Sequence, residues 1–224
     1  GTEQFIDVRG TLHIKEGAVI NMSSGSYIKT TNSNNVLGTL LASGKVIIDG
    51  VENNKVAITG DNWRYLQLES DTASTIKHAN ISISNNANYY EWLINMQDGG
   101  VIENSSISGS RYGVYLNSGS TIKNSKIYNI NRQALQLNNN SKATGNEIYN
   151  VNINDSNTWG IYVESSNFSN NRFYQEESNT NRNSNYALEV RNSSTVEYNT
   201  IGGSTGSHGS VGISIRYNDN ATIR

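Results

Sequence analysis

The sequence predicts an all-β solenoid, a chain of short strands stacked as parallel windings. Three observations carry this: a motif that recurs every two dozen residues or so, strand-period alternation inside each copy, and a composition rich in turn-forming residues. The 224 residues include 36 asparagines, 20 glycines, no proline and no cysteine. Asn and Gly tolerate left-handed backbone and cap turns, so so many of them in one chain point to many tight turns. Repetition is the ordinary source of that many turns.

The first repeated element is Thr75-Ile76-Lys77-His78-Ala79-Asn80-Ile81, which returns as Val101-Ile102-Glu103-Asn104-Ser105-Ser106-Ile107, as Thr121-Ile122-Lys123-Asn124-Ser125-Lys126-Ile127 and as Thr195-Val196-Glu197-Tyr198-Asn199-Thr200-Ile201. Looser copies end at Ile148 and Phe173, and another opens at Thr222-Ile223. The second element is a small residue followed by apolar-x-apolar, as in Gly113-Val114-Tyr115-Leu116, Ala134-Leu135-Gln136-Leu137 and Gly160-Ile161-Tyr162-Val163. Taking Leu66, Ile94, Val114, Leu135, Ile161, Leu188 and Ile213 as equivalent gives spacings of 28, 20, 21, 26, 27 and 25.

Each apolar-x-apolar piece has period 2, which is strand and not helix, and is too short to be stable alone. Stacked in parallel, such pieces find hydrogen-bond partners in the windings above and below, and their inward Ile, Val and Leu form one column. No helical periodicity separates them, which excludes βαβ folds. The N-terminal part agrees in a degenerate form: Val8-Arg9-Gly10-Thr11-Leu12 recurs as Val36-Leu37-Gly38-Thr39-Leu40, and Val46-Ile47-Ile48 and Val56-Ala57-Ile58 supply further strands. The reading is a single domain over residues 1–224 of roughly nine windings, with 1–62 degenerate and 63–224 regular. The last residues open a new unit, so a fragment of a longer chain is expected.

The alternation of x-Ile-x-Asn-x-x-Ile with Gly-Ile-x-Val resembles the right-handed parallel β-helix repeat shared by pectate-lyase-like enzymes, phage tailspikes and many bacterial surface proteins. The Val-x-Gly-Thr-Leu opening followed by Trp63-Arg64-Tyr65-Leu66 is similar to large secreted or surface-anchored bacterial proteins, including β-helical binding regions of adhesins. The resemblance implies the fold and an extracellular or cell-surface location. It does not imply a particular activity, because catalytic and non-catalytic members share the repeat. In that repeat Asn104 and Asn124, which occupy matching positions, are expected to form an internal ladder that satisfies turn amides.

Alternation assigns the faces of each strand. With Leu135 and Leu137 inward, one outward column is Gln67, Asn95, Tyr115, Gln136, Tyr162, Glu189 and Ser214. Its neighbour is Glu69, Gln97, Asn117, Asn138, Glu164, Arg191 and Arg216. The flanking column Gly113, Ala134, Gly160, Ala187 and Gly212 is expected to form a bare floor beside them. Amides and carboxylates bond sugar hydroxyls and tyrosine rings cover the apolar faces of sugars, so Tyr115, Gln136, Asn138, Tyr162, Glu164, Glu189 and Arg191 are the expected ligand-binding residues for a polysaccharide or cell-surface glycan. A solvated strand face of ordinary β-propensity accounts for the same composition. A second aromatic set, Trp92, Tyr112, Trp159 and Tyr186, is expected to face inward or sit at a corner.

Other chemistry is weakly supported. The balance of 17 basic against 19 acidic residues, with no basic run, argues against nucleic acid as a partner. No apolar stretch is long enough to insert in a membrane. Glycoside hydrolysis needs two carboxyl groups, and Glu164 with Glu189 is the one pair the repeat brings near, Arg191 lying one strand from Glu164 as a surface ion-pair partner. Gly206-Ser207-His208-Gly209 superficially resembles the Gly-His-Gly signature of polygalacturonases, but Asn179-Thr180-Asn181 stands where that family's pattern carries an Asn-Thr-Asp, and no Asp-Asp pair exists. The seven aspartates are dispersed, so a Ca²⁺-assisted lyase has no evident acidic cluster. No metal site, cofactor or catalytic residue is assigned. The expected function is a non-catalytic extracellular carbohydrate-binding or adhesin module. The alternatives are a lyase or hydrolase of a uronate-containing polysaccharide and a structural stalk or tailspike segment.

Overall fold

The computed structural model describes residues 5–9, 11–30, 38–60, 63–69, 72–83, 91–151, 159–174, 187–202, 212–216 and 220–224. Within them the chain runs through three parallel sheets in rotation, each of nine strands. Sheet 1 begins with Phe5–Val8 and ends with Thr200–Ile201, sheet 2 runs from Thr11–Ile14 to Ile213–Arg216, and sheet 3 from Val19–Ser23 to Thr222–Ile223. The longest strand, Trp63–Leu68, has six residues. The fold is the parallel β-helix that the repeat predicts, and no helix among the described residues is long and apolar enough to cross a membrane.

The register agrees with the spacing of the repeat. Leu66, Ile94, Val114, Leu135, Ile161, Leu188 and Ile213 are successive partners in sheet 2. Thr11-Leu12 pairs with Thr39-Leu40, which joins the degenerate windings to the same sheet. In sheet 3 the column is Ile48, Ile76, Ile102, Ile122, Ala143, Phe168 and Val196, and in sheet 1 it includes Ile81, Ile107, Ile127, Ile148 and Phe173. Apart from Ile213, which is 40% exposed, these columns meet along the axis as one continuous buried core. Each buried aliphatic contributes about 1.5–3 kcal/mol, which no isolated three-residue strand could hold against its own entropy.

Sheet 3 passes into sheet 1 through a single corner residue in left-handed conformation: His78, Asn104, Asn124, Gly145, Asn170 or Tyr198, with φ between 47° and 66°. Asparagine and glycine suit this position because the left-handed region strains most other side chains. The expected internal ladder of Asn104 and Asn124 is therefore displaced by one residue. Those two asparagines carry the corner, and the next residue turns into the core: Ser105, Ser125, Asn146, Asn171 and Asn199. Each accepts the backbone amide of the preceding winding, from Ala79 N–H to Ser105 Oγ (3.1 Å) through to Asn171 N–H on Asn199 Oδ1 (2.8 Å). The three asparagines also donate Nδ2 to Ile122, Ala143 and Phe168 carbonyls at 3.1, 3.0 and 2.7 Å.

Asn171→Ala removes donor and acceptor together from a site 2% exposed. It should cost about 2–3 kcal/mol in urea unfolding, the penalty of orphaned buried backbone groups. Asn124→Gly, at an exposed corner, should stay within about 0.5 kcal/mol of the parent.

Candidate functional site

The outer face of sheet 2 is built by the register just described. Gln67, Asn95, Tyr115, Gln136, Tyr162, Glu189 and Ser214 are consecutive pairing partners, so residues up to 147 positions apart in sequence stand in one row. Beside it Glu164, Arg191 and Arg216 pair in turn, and Gln97, Asn117 and Asn138 continue the second row by donating their amides to Leu68, Met96 and Leu116 carbonyls. Within these rows Gln97 Nε2 donates to Glu69 Oε1 at 3.1 Å, and Gln136 Nε2 donates to Asn138 Oδ1 at 3.2 Å.

Of the small-residue column only Gly212 is exposed, with open space about it; the rest is not an open floor. Gly113, Ala134, Gly160 and Ala187 are buried, and a Cβ on Gly113 would stand 2.3 Å from the Ala134 carbonyl. The reason is a break in alternation at the start of these strands. The Gly160 carbonyl accepts both Ala134 N–H (2.8 Å) and Leu135 N–H (3.4 Å), and two successive residues are buried there, Gly113-Val114 and Ala134-Leu135 among them. That irregularity carries the preceding aromatic residues onto the outer face instead of into the core. Trp92 lies 5.3 Å from the Tyr112 ring and 5.9 Å from the Tyr115 ring, and Trp159 lies 5.7 Å from Tyr162. Tyr186 of the same set, His208 and Asn179–Asn181 lie outside the described residues.

The densest part of the face surrounds Tyr162. Its ring is 7% exposed, covered by Trp159 and by the Arg191 guanidinium, which stands 5.1 Å from it and 5.4 Å from Trp159. Its hydroxyl donates to Glu164 Oε2 at 3.0 Å, while Asn192 Nδ2 donates to Glu164 Oε1 at 2.7 Å. Beside the Glu164 charge that the register brings to Arg191, a second carboxylate pairs with this arginine. Although Glu164 and Arg191 are register partners, Arg191 Nε bonds Glu189 Oε1 at 2.5 Å, and Glu189 has no exposed surface. Arg216 Nε lies 3.8 Å from the other Glu189 oxygen, which has no hydrogen-bond partner. Residues i and i+2 of one strand share a face, so Arg191 reaches back along its own strand more directly than across to Glu164.

These contacts set the proton affinities. Burial pushes the Tyr162 phenol up to about 12, helped by the hydrogen bond to Glu164 and opposed by Arg191. Burial also raises Tyr115, with the Glu164 charge adding to it. For Arg191 burial works against the charge, but the Glu189 hydrogen bond and neighbouring acidic groups outweigh it and raise its pKa. Both candidate carboxylates are thus engaged, one under an arginine and one by two donors. Among the described residues no three His, Cys, Asp or Glu side chains group as metal ligands do. The register of sheet 2 brings Tyr115, Gln136, Tyr162, Glu164, Glu189 and Arg191 onto neighbouring strands, with Asn138 at the end of its strand beside them. The sequence reading misses Trp159, Trp92, Tyr112 and Asn192, for which two adjacent core residues after a small one, as in Gly160-Ile161, were the available signal.

No protein-family model matches the chain, and no curated protein matches it. Among solved structures it is similar to the A-module of the mannuronan C-5 epimerase AlgE4 of Azotobacter vinelandii, at 11% identity and a TM-score of 0.45, over 98% of this chain and 90% of that one. It is similar to an alginate lyase of Paenibacillus sp. FPU-7, at 14% identity and a TM-score of 0.31, over 99% and 98%. It is similar also to the periplasmic alginate epimerase AlgG, at 10% identity and a TM-score of 0.26, over 100% and 79%.

Two outcomes are expected. Arg191→Ala leaves Glu189 buried without its partner and should cost about 3 kcal/mol in denaturant unfolding, with Arg191→Ala/Glu189→Gln recovering part of it. A phenol that ionises at 10.0 when unexceptional and at about 12 here holds its proton longer in the folded chain. Stability should therefore fall as pH rises from about 10 to about 12, and Tyr162→Phe should flatten that slope in unfolding measured across the range.

Proposed function

We propose that the outer face of sheet 2 binds an extended glycan and that the chain is a non-catalytic extracellular module of a bacterial surface or adhesin-type protein. The observation that carries this reading is the unbroken row from Gln67 to Ser214, which presents amides, aromatic rings and ion-paired side chains at one step per winding. Parallel strands repeat about every 4.8 Å, close to the length of one hexopyranose in an extended chain, so successive sugars meet successive windings. Tyr115, in the row, and Trp92 and Trp159, against it, are half-buried rings. Tyr162, Glu164, Glu189 and Arg191 hold Trp159 and its surroundings in place, while Gln136 and Asn138 lie between the two aromatic groups.

A lyase or hydrolase reading rests on Glu164, Glu189 and Arg191. Their engagement favours binding over chemistry: a carboxylate with no exposed surface, fixed by an arginine at 2.5 Å, does not meet an anomeric carbon without displacing that partner. Immobilised polysaccharides should retard the folded protein in affinity electrophoresis. Tyr115→Ala and Trp159→Ala should each weaken the retention by about tenfold, near 1.4 kcal/mol. No retention on any glycan would refute the reading, and release of unsaturated or reducing sugars, lost in Glu164→Gln or Arg191→Ala, would replace it with an enzymatic one.

A further inference from the structure

On the outer face of sheet 2 the aromatic residues skip one winding. At two equivalent positions, successive windings carry Tyr112 and Tyr115, then Gln133 and Gln136, then Trp159 and Tyr162. Tyr112 pairs with Gln133, and Tyr115 pairs with Gln136, which pairs in turn with Tyr162. Trp159 follows Gln133 in the first column, because the next residue, Gly160, accepts the N–H of Ala134, the residue after Gln133. Trp92, 5.9 Å from the Tyr115 ring, joins the first aromatic group from the winding before. Tyr115 and Trp159 are half-buried, and between their windings Gln133 is buried and Gln136 half-buried. At about 4.8 Å per parallel strand, the two aromatic groups stand about 9.6 Å apart along the solenoid.

That spacing constrains the shape of a bound glycan. A ring is covered by a sugar only where the sugar turns a C–H face toward it. With one sugar per winding, the first and third sugars must present equivalent faces to the two aromatic groups, while the second lies over an amide. A chain of twofold screw symmetry meets this condition, since every second residue repeats its orientation. A threefold chain turns its third sugar away, and a coiled chain leaves the straight row.

Charge constrains the ligand further. Arg64 bonds both oxygens of Glu91, at 2.5 and 2.6 Å, and Arg191 bonds Glu189. Glu164 accepts the Tyr162 hydroxyl and the Asn192 amide, and Glu69 accepts Gln97 Nε2. An acidic sugar would approach Glu69 and Glu164, and could gain Arg64 or Arg191 only by drawing it off a carboxylate that is then left uncompensated. Sugar hydroxyls carry no such penalty.

We propose that the ligand of this face is a neutral, β-1,4-linked glycan lying along the solenoid axis, its alternate sugars stacked on the Tyr115 and Trp159 groups and the sugar between them hydrogen-bonded by Gln136. The inference rests on the glycan-binding reading given above and adds the charge and the linkage geometry of the ligand.

Isothermal titration calorimetry of the folded protein tests it, with cellohexaose and mannohexaose against maltohexaose and hexagalacturonate. At least one of the first two should bind about tenfold more tightly than either of the others, a 1.4 kcal/mol difference. Within the better-bound series the trisaccharide is the shortest chain that spans both aromatic groups, so it should bind about tenfold more tightly than the disaccharide. Trp159→Ala should remove that step, and Tyr115→Ala should remove it independently; circular dichroism melting checks that each variant keeps its fold. Tighter binding of maltohexaose or hexagalacturonate would overturn the proposal, as would equal affinities for disaccharide and trisaccharide. No heat with any of these oligosaccharides, while an immobilised polysaccharide still retards the protein, would overturn this inference alone. Retardation by no glycan would remove the underlying reading with it.

Discussion

Every strand of this chain depends on the one above and the one below it. With strands of two to six residues, no winding has enough local hydrogen bonding or apolar burial to exist alone, and stability comes from contacts between neighbouring repeats. Two devices fix how neighbours meet. The aliphatic columns set which residues face the axis, and the Ser105, Ser125, Asn146, Asn171, Asn199 ladder ties each corner amide to a side chain of the next winding. A slip of one residue would expose the columns and orphan the ladder together, so register is doubly specified.

That constraint is what gathers aromatic rings and ion pairs on one face of a chain with so few charges. Stacking turns a sequence spread over many windings into a compact surface, on which Trp159 and Arg191 enclose Tyr162 and Glu189 sits under Arg191 without solvent contact. The rings and ion pairs of this face are therefore fixed by contacts within the protein itself. The same stacking leaves a different surface at the opposite corner, where six residues, 50–55, join sheets 3 and 1 in place of the one or two of the windings that follow.

Much of this was legible in the sequence, because a solenoid converts sequence period directly into spatial neighbourhood. The equivalence of Leu66, Ile94, Val114, Leu135, Ile161, Leu188 and Ile213 followed from spacing alone, and with it the outward row. What was not legible depends on events shorter than the repeat. Two successive buried residues break alternation at the start of these strands, and with that break Gly113, Ala134, Gly160 and Ala187 are buried while Trp92, Tyr112 and Trp159 lie against the outer face. The one-residue corner moves the internal ladder from Asn104 and Asn124 to the residue after each. Arg191 reaches Glu189 by side-chain length within its own strand, which register does not encode.

Because the chain has no native cysteine, a single engineered pair can report the register on which the outer face rests. In Gln67→Cys/Asn95→Cys the two positions are direct partners, about 4.8 Å apart and within disulfide reach. Rapid, near-complete disulfide formation under mild oxidation in the folded protein, with none in Gln67→Cys/Gln97→Cys, is the predicted result. Efficient crosslinking of the second pair and not the first would place sheet 2 in another register and contradict the account.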